Sequence, residues 1–286
     1  MAAGDKIYVC RYAKHPTDAI AGVAQATLSP GTVSRFDPGA AGSTGRSDTV
    51  VTDNSLFATL MAIDSVFCLR SAVHGIATLA EAVMARIVPA TKWRQDPGAA
   101  GTPGAADALV TDYEVAVEVY GTKYAELLAL LGATAADLTL GIEGVAGANQ
   151  TIVLSSVYFS EPIGEITLAE KDSGGALEAA GIRGHVHFGA AQVFADVITA
   201  TPTRFTGLLA KIGATAANLV LGTQGAAGAL EKITVKNVYF VEPVGALEIA
   251  RKDVGGRLPS SFGARGIALW GAADTFATMI APAADA

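Results

Sequence analysis

The residues of this chain best suited to metal binding or nucleophilic chemistry are few: four histidines and two cysteines. His185 and His187 stand two apart, so on a strand both would point to one face and could share a metal ion. No third ligand lies near them in sequence. A later copy of the same stretch has Ile267 and Leu269 in their places, so packing or an interface explains the pair better. His15 and His74 are isolated, and Cys10 and Cys68 cannot make a disulfide framework, which leaves buried thiols as the expectation. A nucleophile needs a base and an orienting group that converge on it. The chain has no Gly-x-Ser-x-Gly elbow and no Cys with a matching His. No catalytic, metal-ligating or cofactor-binding residue is expected, and no cofactor.

The glycine-rich stretches do not cradle phosphate. None carries the Gly-Lys-Ser/Thr ending of a P-loop, and none links a strand to a helix with a ribose-binding acid downstream. They read as turns. The acids Glu161, Asp172, Glu242 and Asp253 recur as two pairs, and two glycosidase-like pairs on one chain would be odd, so turn and strand-end roles are expected. Lys171–Asp172 and Lys252–Asp253 read as strand-end charges with Arg183 and Arg265 as partners. Such pairs add little stability when exposed but can fix register across an interface.

All of these residues belong to a repeat. Residues 124–175 and 205–256 align without a gap at an offset of 81, and 27 of the 52 positions are identical. The match continues after one inserted residue, with GIRGHVHFGA at 181–190 against GARGIALWGA at 263–272. It restarts with AAQVFADVITA at 190–200 against AADTFATMIAP at 272–282, as though the C-terminal strand opened a third unit. That strand is expected to add to a sheet edge, its own or a neighbour's. Upstream, DPGAAGSTGRSDTVVTD at 37–53 echoes DPGAAGTPGAADALVTD at 96–112, and SLFATLMA at 55–62 resembles the FATMIA near the C-terminus. The expected organisation is therefore an N-terminal β-rich region over 1–95, a diverged module; a first clear module over 96–190; and a second, with the extra strand, over 191–286.

Within a module the elements are legible. Tyr124, Leu127, Leu128 and Leu131 make one apolar helix face, kept in the second copy as Phe205, Leu208, Leu209 and Ile212. Thr122 and Thr203 stand where an N-cap belongs, Gly132 and Gly213 where a left-handed C-terminal residue belongs. Ile233 and Val235 alternate with polar residues, as do Leu247 and Ile249 around Glu248, which is the period of a half-exposed strand. YEVAVEVY at 113–120 and GIRGHVHFG at 181–189 are further strands. The fold class is mainly β (α+β): tandem small β-sandwich or barrel modules, each with one short packed helix.

Charged residues make up only 16% of the chain against a usual share of roughly 25%, and apolar ones 51%. A chain so poor in charge should bury much of its surface against partners. Its net charge of −7 argues against a dedicated nucleic-acid binder. No run approaches the ~18 apolar residues of a membrane span, and the N-terminus has no secretory pattern, so synthesis in a cytoplasm is expected. The pattern of a strand, a short helix, the strand pair ITVKNVYFVEPVGALEIARKD and a closing GARGIALWG resembles phage tail tube proteins and their relatives in other injection machines. The resemblance covers 113–282, twice over; a tandem pair departs from the usual single module. It implies a virion protein that assembles with itself into stacked rings, with other tail or virion proteins as further partners. DNA would pass through the lumen without specific binding, repelled by an acidic wall. The two DPGAAG loops are then candidates for contacts between rings. Other readings are a baseplate, hub, connector or head-decoration protein, and a tandem β-domain adhesin or binding module.

Overall fold

The computed structural model describes residues 9–37, 46–64, 68–95, 109–143, 147–165, 180–189, 192–200, 203–224, 230–251, 260–269 and 274–285. The fold is mainly β with a few short helices. Four strands open the chain: β1 (Val9–Lys14), β2 (Ala19–Ile20), β3 (Val23–Asp37) and β4 (Arg46–Asp64). A second opening block follows: β5 (Cys68–His74), β6 (Ala77–Thr78), β7 (Ala82–Gln95) and β8 (Leu109–Gly121). The first closing block has α1 (Tyr124–Leu128), β9 (Ala136–Glu143), β10 (Asn149–Ile163), β11 (Ala180–Val186), the helical turn α2 (Phe194–Val197) and β12 (Ile198–Ala200). The second repeats it with α3 (Thr203–Leu209), β13 (Ala217–Gln224), β14 (Leu230–Ala250), β15 (Ser260–Ala268), α4 (Phe276–Met279) and β16 (Ile280–Ala284).

The N-terminal region is thus itself duplicated at an offset of 59, matching Ala13 with Ala72, His15 with His74 and Pro30 with Pro89. This corrects two expectations. SLFATLMA lies in β4 and corresponds to the end of β8, not to the C-terminus. Nor does the C-terminal segment open a third unit. β16 pairs with β14 through Ile233↔Pro282, Thr234↔Ala281 and Val235↔Ile280, as β12 pairs with β10 through Ile152↔Ala200, Val153↔Thr199 and Leu154↔Ile198. Each is the last strand of its closing block.

In space the chain forms two compact units whose limits differ from the sequence regions. Unit 1 joins Met1–Met61, Gly213–Val241 and Ala264–Ala286; unit 2 joins Ala62–Ile212 and Glu242–Gly263. Unit 1 therefore combines the first opening block with the last closing block, and unit 2 is nested inside it in the chain. Both units have one strand order. Unit 1 runs β2-β1-β13-β14-β15-β4-β3, and unit 2 runs β6-β5-β9-β10-β11-β8-β7.

The cores follow from alternation. Val115, Val117 and Val119 of β8 and Leu138, Leu140 and Ile142 of β9 are all buried in unit 2, each set two residues apart. In β10 the buried series Ile152, Leu154, Val157, Phe159 slips by one residue at a β-bulge, where Ser156 takes a positive φ of 51°. Unit 1 repeats the bulge at Asn237, φ 50°, and buries Val235, Val238 and Phe240. The bulge has its own acceptor in each copy: Ser156 N–H donates to Asp137 Oδ1 at 3.0 Å, and Asn237 N–H to Asn218 Oδ1 at 3.4 Å.

The helices sit where expected but are shorter, so Leu131 and Ile212 lie beyond their ends; Leu127, Phe205, Leu208, Leu209 and Ile212 are buried, while Tyr124, Leu128 and Leu131 are half-buried. Gly132 and Gly213 adopt left-handed φ of 73° and 77°, and their N–H groups donate to the carbonyls of Phe159 and Phe240 at 3.0 and 2.9 Å. The N-cap expectation fails at Thr122. Lys123 holds that position without a side-chain bond, while the Thr122 hydroxyl donates to Glu81. The side chain of Thr203 lies outside the described residues.

Candidate functional site

The two isolated histidines prove to be one residue repeated. His15 Nε2–H donates to the Val238 carbonyl at 2.8 Å in unit 1, and His74 Nε2–H to the Val157 carbonyl at 2.8 Å in unit 2. Each ring meets the edge of an equivalent phenylalanine, Phe240 at 5.1 Å and Phe159 at 5.0 Å. Both are buried. Each ties an opening block to the bulged strand of its closing block, so their role is structural. His185 and His187 part company: His185 Nδ1 lies 3.1 Å from Glu114 Oε1, and the His187 ring lies 6.3 Å from that of Tyr158. Among the described residues no three His, Cys, Asp or Glu side chains come together to hold a metal. Cys10 and Cys68 are free and half-buried rather than buried, and burial pushes the Cys10 thiol pKa up.

The charged residues that do converge form a ladder across unit 2. Glu161 on β10 stands opposite Arg183 on β11, Arg183 opposite Glu118 on β8, Glu118 opposite Arg86 on β7, and Arg86 opposite Glu248 on β14. The ion-pair distances along it are 2.9, 2.9, 3.5 and 2.9 Å. Charge alternates strand by strand, which is the arrangement cross-strand pairing favours and which a one-residue slip would destroy. At its centre Glu118 is only 5% exposed and is held by two arginines and by the Tyr120 hydroxyl, which donates to it at 3.3 Å. Burial first, and the Glu118 charge second, push the Tyr120 phenol pKa up. Hydrogen bonds to Glu161 and Glu118 raise that of Arg183.

This corrects the turn and strand-end reading of Glu161. Arg183 pairs with Glu118 and Glu161 inside the sheet, and Glu161 is a rung of the ladder rather than a turn residue. Asp172, Asp253, Lys171 and Lys252 lie outside the described residues, as does most of each DPGAAG loop. Arg265 and Glu242 hold the Arg183 and Glu161 positions in the last closing block. The sequence did carry a signal for the ladder: Arg86, Glu118 and Glu248 are lone charges flanked by apolar neighbours. Only strand register turns them into one row.

The row of charges can hold strands in alignment. No family model, curated protein or solved structure matches the chain. The functional reading accordingly rests on the molecule itself.

Proposed function

We propose that this chain is a structural subunit that assembles with copies of itself, in the manner of a phage tail tube protein: stacked rings around a channel through which DNA passes without specific binding. The observation that carries the reading is the path of β14. Through Val241 it belongs to unit 1; from Glu242 it is part of unit 2, where it pairs with β7 and supplies the last rung of the ladder. Residues of one closing block thus complete a sheet built on another. Modules that complete one another's sheets are suited to propagation from subunit to subunit.

Composition supports the same reading. A low charged share and a high apolar one suit a subunit that buries much of its surface, and a net charge of −7 suits a wall past which phosphates slide. Other tail or virion proteins are then the further partners. No described helix is long and apolar enough to cross a membrane. Sedimentation velocity and negative-stain electron microscopy across a concentration series test the proposal. Hollow rings or tubes are the expected result. Monomers at every concentration would overturn it and favour a decoration protein that needs another protein's surface.

A further inference from the structure

Units 1 and 2 carry their charge on different faces. In unit 1, β1, β13 and the first part of β14 lie side by side. Tyr12 stands opposite Gly222 and Gly222 opposite Lys232; Lys14 stands opposite Val220 and Val220 opposite Thr234. Alternation turns Tyr12, Lys14, Lys232, Thr234 and Lys236 outward, while Ala13, Leu221 and Val235 are buried on the other side. Lys14 and Lys236 are exposed and Lys232 is half-buried. The Tyr12 ring lies over Gly222 in the middle of this face, with Lys14 Nζ 5.3 Å from its centroid. Arg11 adds no excess charge, because Asp285 holds it at 3.1 Å. Glu231, the only acid in β1, β13 and residues 230–236, alternates to the Ile233 side.

The same face of unit 2 has none of these lysines. Its register is the same, with Ser71 opposite Gly141 and Gly141 opposite Thr151. Ser71, Val73, Thr151 and Ser155 stand where unit 1 has Tyr12, Lys14, Lys232 and Lys236. The lysines are therefore not a requirement of the sheet. Unit 2 carries its charge on the ladder strands instead. The ladder begins and ends on a glutamate, so Glu161, Glu118 and Glu248 face only Arg183 and Arg86, and negative charge is in excess. Glu114, four residues before Glu118 on β8, turns to the same side and reaches His185 at 3.1 Å. Glu161 is exposed and Glu248 half-buried, so a cation from outside can approach both ends of the row. Unit 1 has Thr27 and Thr59 at the Arg86 and Glu118 positions.

We propose that the lysine face of unit 1 docks on the ladder face of unit 2 in a second copy of the chain. The charges are opposite and their spacing agrees. Glu161, Glu118 and Glu248 stand on every second strand of one sheet, and Lys14 and Lys232 on β1 and β14 with β13 between them. Both sets therefore repeat across the strands at about 9.5 Å, twice the strand spacing. Tyr12 supplies an amphipathic ring at the centre of the contact, where interfaces favour aromatic residues. The net charge of −7 favours this partner over a nucleic acid, which would meet the lysines only against the charge of the rest of the chain. The two faces are not equivalent, so the contact is head-to-tail and closes into rings or extends into filaments.

The inference rests on the self-assembly reading and names the two faces through which assembly runs. Two charge-reversed full-length chains test it. One carries Lys14→Glu, Lys232→Glu and Lys236→Glu; the other carries Glu161→Lys and Glu248→Lys. Each alone brings like charges together and should stay monomeric in sedimentation velocity where the parent chain assembles. An equimolar mixture should assemble, because each reversed face then meets its opposite. Association of the parent should weaken roughly tenfold as salt rises from about 0.05 to about 0.5 M. Circular dichroism melts check that the variants fold. Should the doubly reversed ladder not fold, Glu161→Gln removes one exposed end without adding a charge and should weaken association several-fold. Reversed chains that each assemble like the parent, or folded ones whose mixture stays monomeric, overturn this contact and leave self-assembly standing. Loss of duplex DNA binding by the lysine variant with its assembly unchanged overturns it in favour of a nucleic-acid surface. A parent chain that remains monomeric overturns both readings.

Discussion

Unit 1 and unit 2 have one strand order, one bulge, one buried histidine and one closing strand, yet among the described residues the five-residue charged ladder and the β7–β14 seam belong to unit 2. The shared features lie between an opening block and a closing block of the same unit. The differing ones lie where a strand arrives from a different closing block. What is common to both copies holds an opening block to its closing block, and the unequal pair, ladder and seam, lies where β14 passes from one unit to the other.

The comparison can be broken most directly at the seam. Ile249→Asp places a carboxylate in the completed seam of unit 2 and should cost about 3–5 kcal/mol in urea denaturation, as an uncompensated buried charge does. Ala26→Asp, at the matching position of unit 1, should cost less, about 1 kcal/mol, because Ala26 is only half-buried. Equal costs at the two sites would mean that the seams do not differ. Next in size is the ladder. Glu118→Gln should lose about 2 kcal/mol, moderated because the arginines it faces are more than a third exposed and screened by solvent. Thr59→Val, at its counterpart in unit 1, should be near neutral by the same assay.

The histidines sharpen the likeness rather than the difference. His15→Ala and His74→Ala each remove a donor from a buried carbonyl and should cost about 1–2 kcal/mol, equal within error. A several-fold disparity in thermal denaturation would show that the two sites are alike in geometry only. The smallest effect belongs to the bulge. Ser156→Gly should gain up to about 1 kcal/mol and Asn237→Gly less, because Asn tolerates positive φ better than Ser. A larger gain at Asn237 would reverse that ranking.

The mainly-β fold, the helices and the left-handed glycines were legible in the sequence because each rests on local spacing. So was the later duplication, at 27 identities in 52. The earlier duplication was legible only around its DPGAAG loops. Its cores exchange Leu56 for Val115 and Ala58 for Val117, and β-sheet cores tolerate such swaps, so apart from the DPGAAG loops the matches are scattered single residues such as Arg11/Arg70, His15/His74, Pro30/Pro89 and Arg35/Arg94. Nothing local says which opening block joins which closing block, since that choice is made by contacts between segments far apart in the chain. The ladder was hidden for the same reason. Arg86, Glu118, Arg183 and Glu248 are spread over more than half the sequence and meet only once register is known. Buried His74 looked isolated because its partner carbonyl is 83 residues away.

The nested order of the chain also sets a timetable for the ribosome. Strands β1 to β4 emerge first, but β13 and β14, on which unit 1 depends, lie about 150 residues later, a wait of roughly 8–30 s at ordinary translation speeds. During that interval β5 to β12 emerge together with nearly all of their own partners. Unit 2 should therefore fold while the nascent chain is still growing, and unit 1 last, with its opening strands held in waiting.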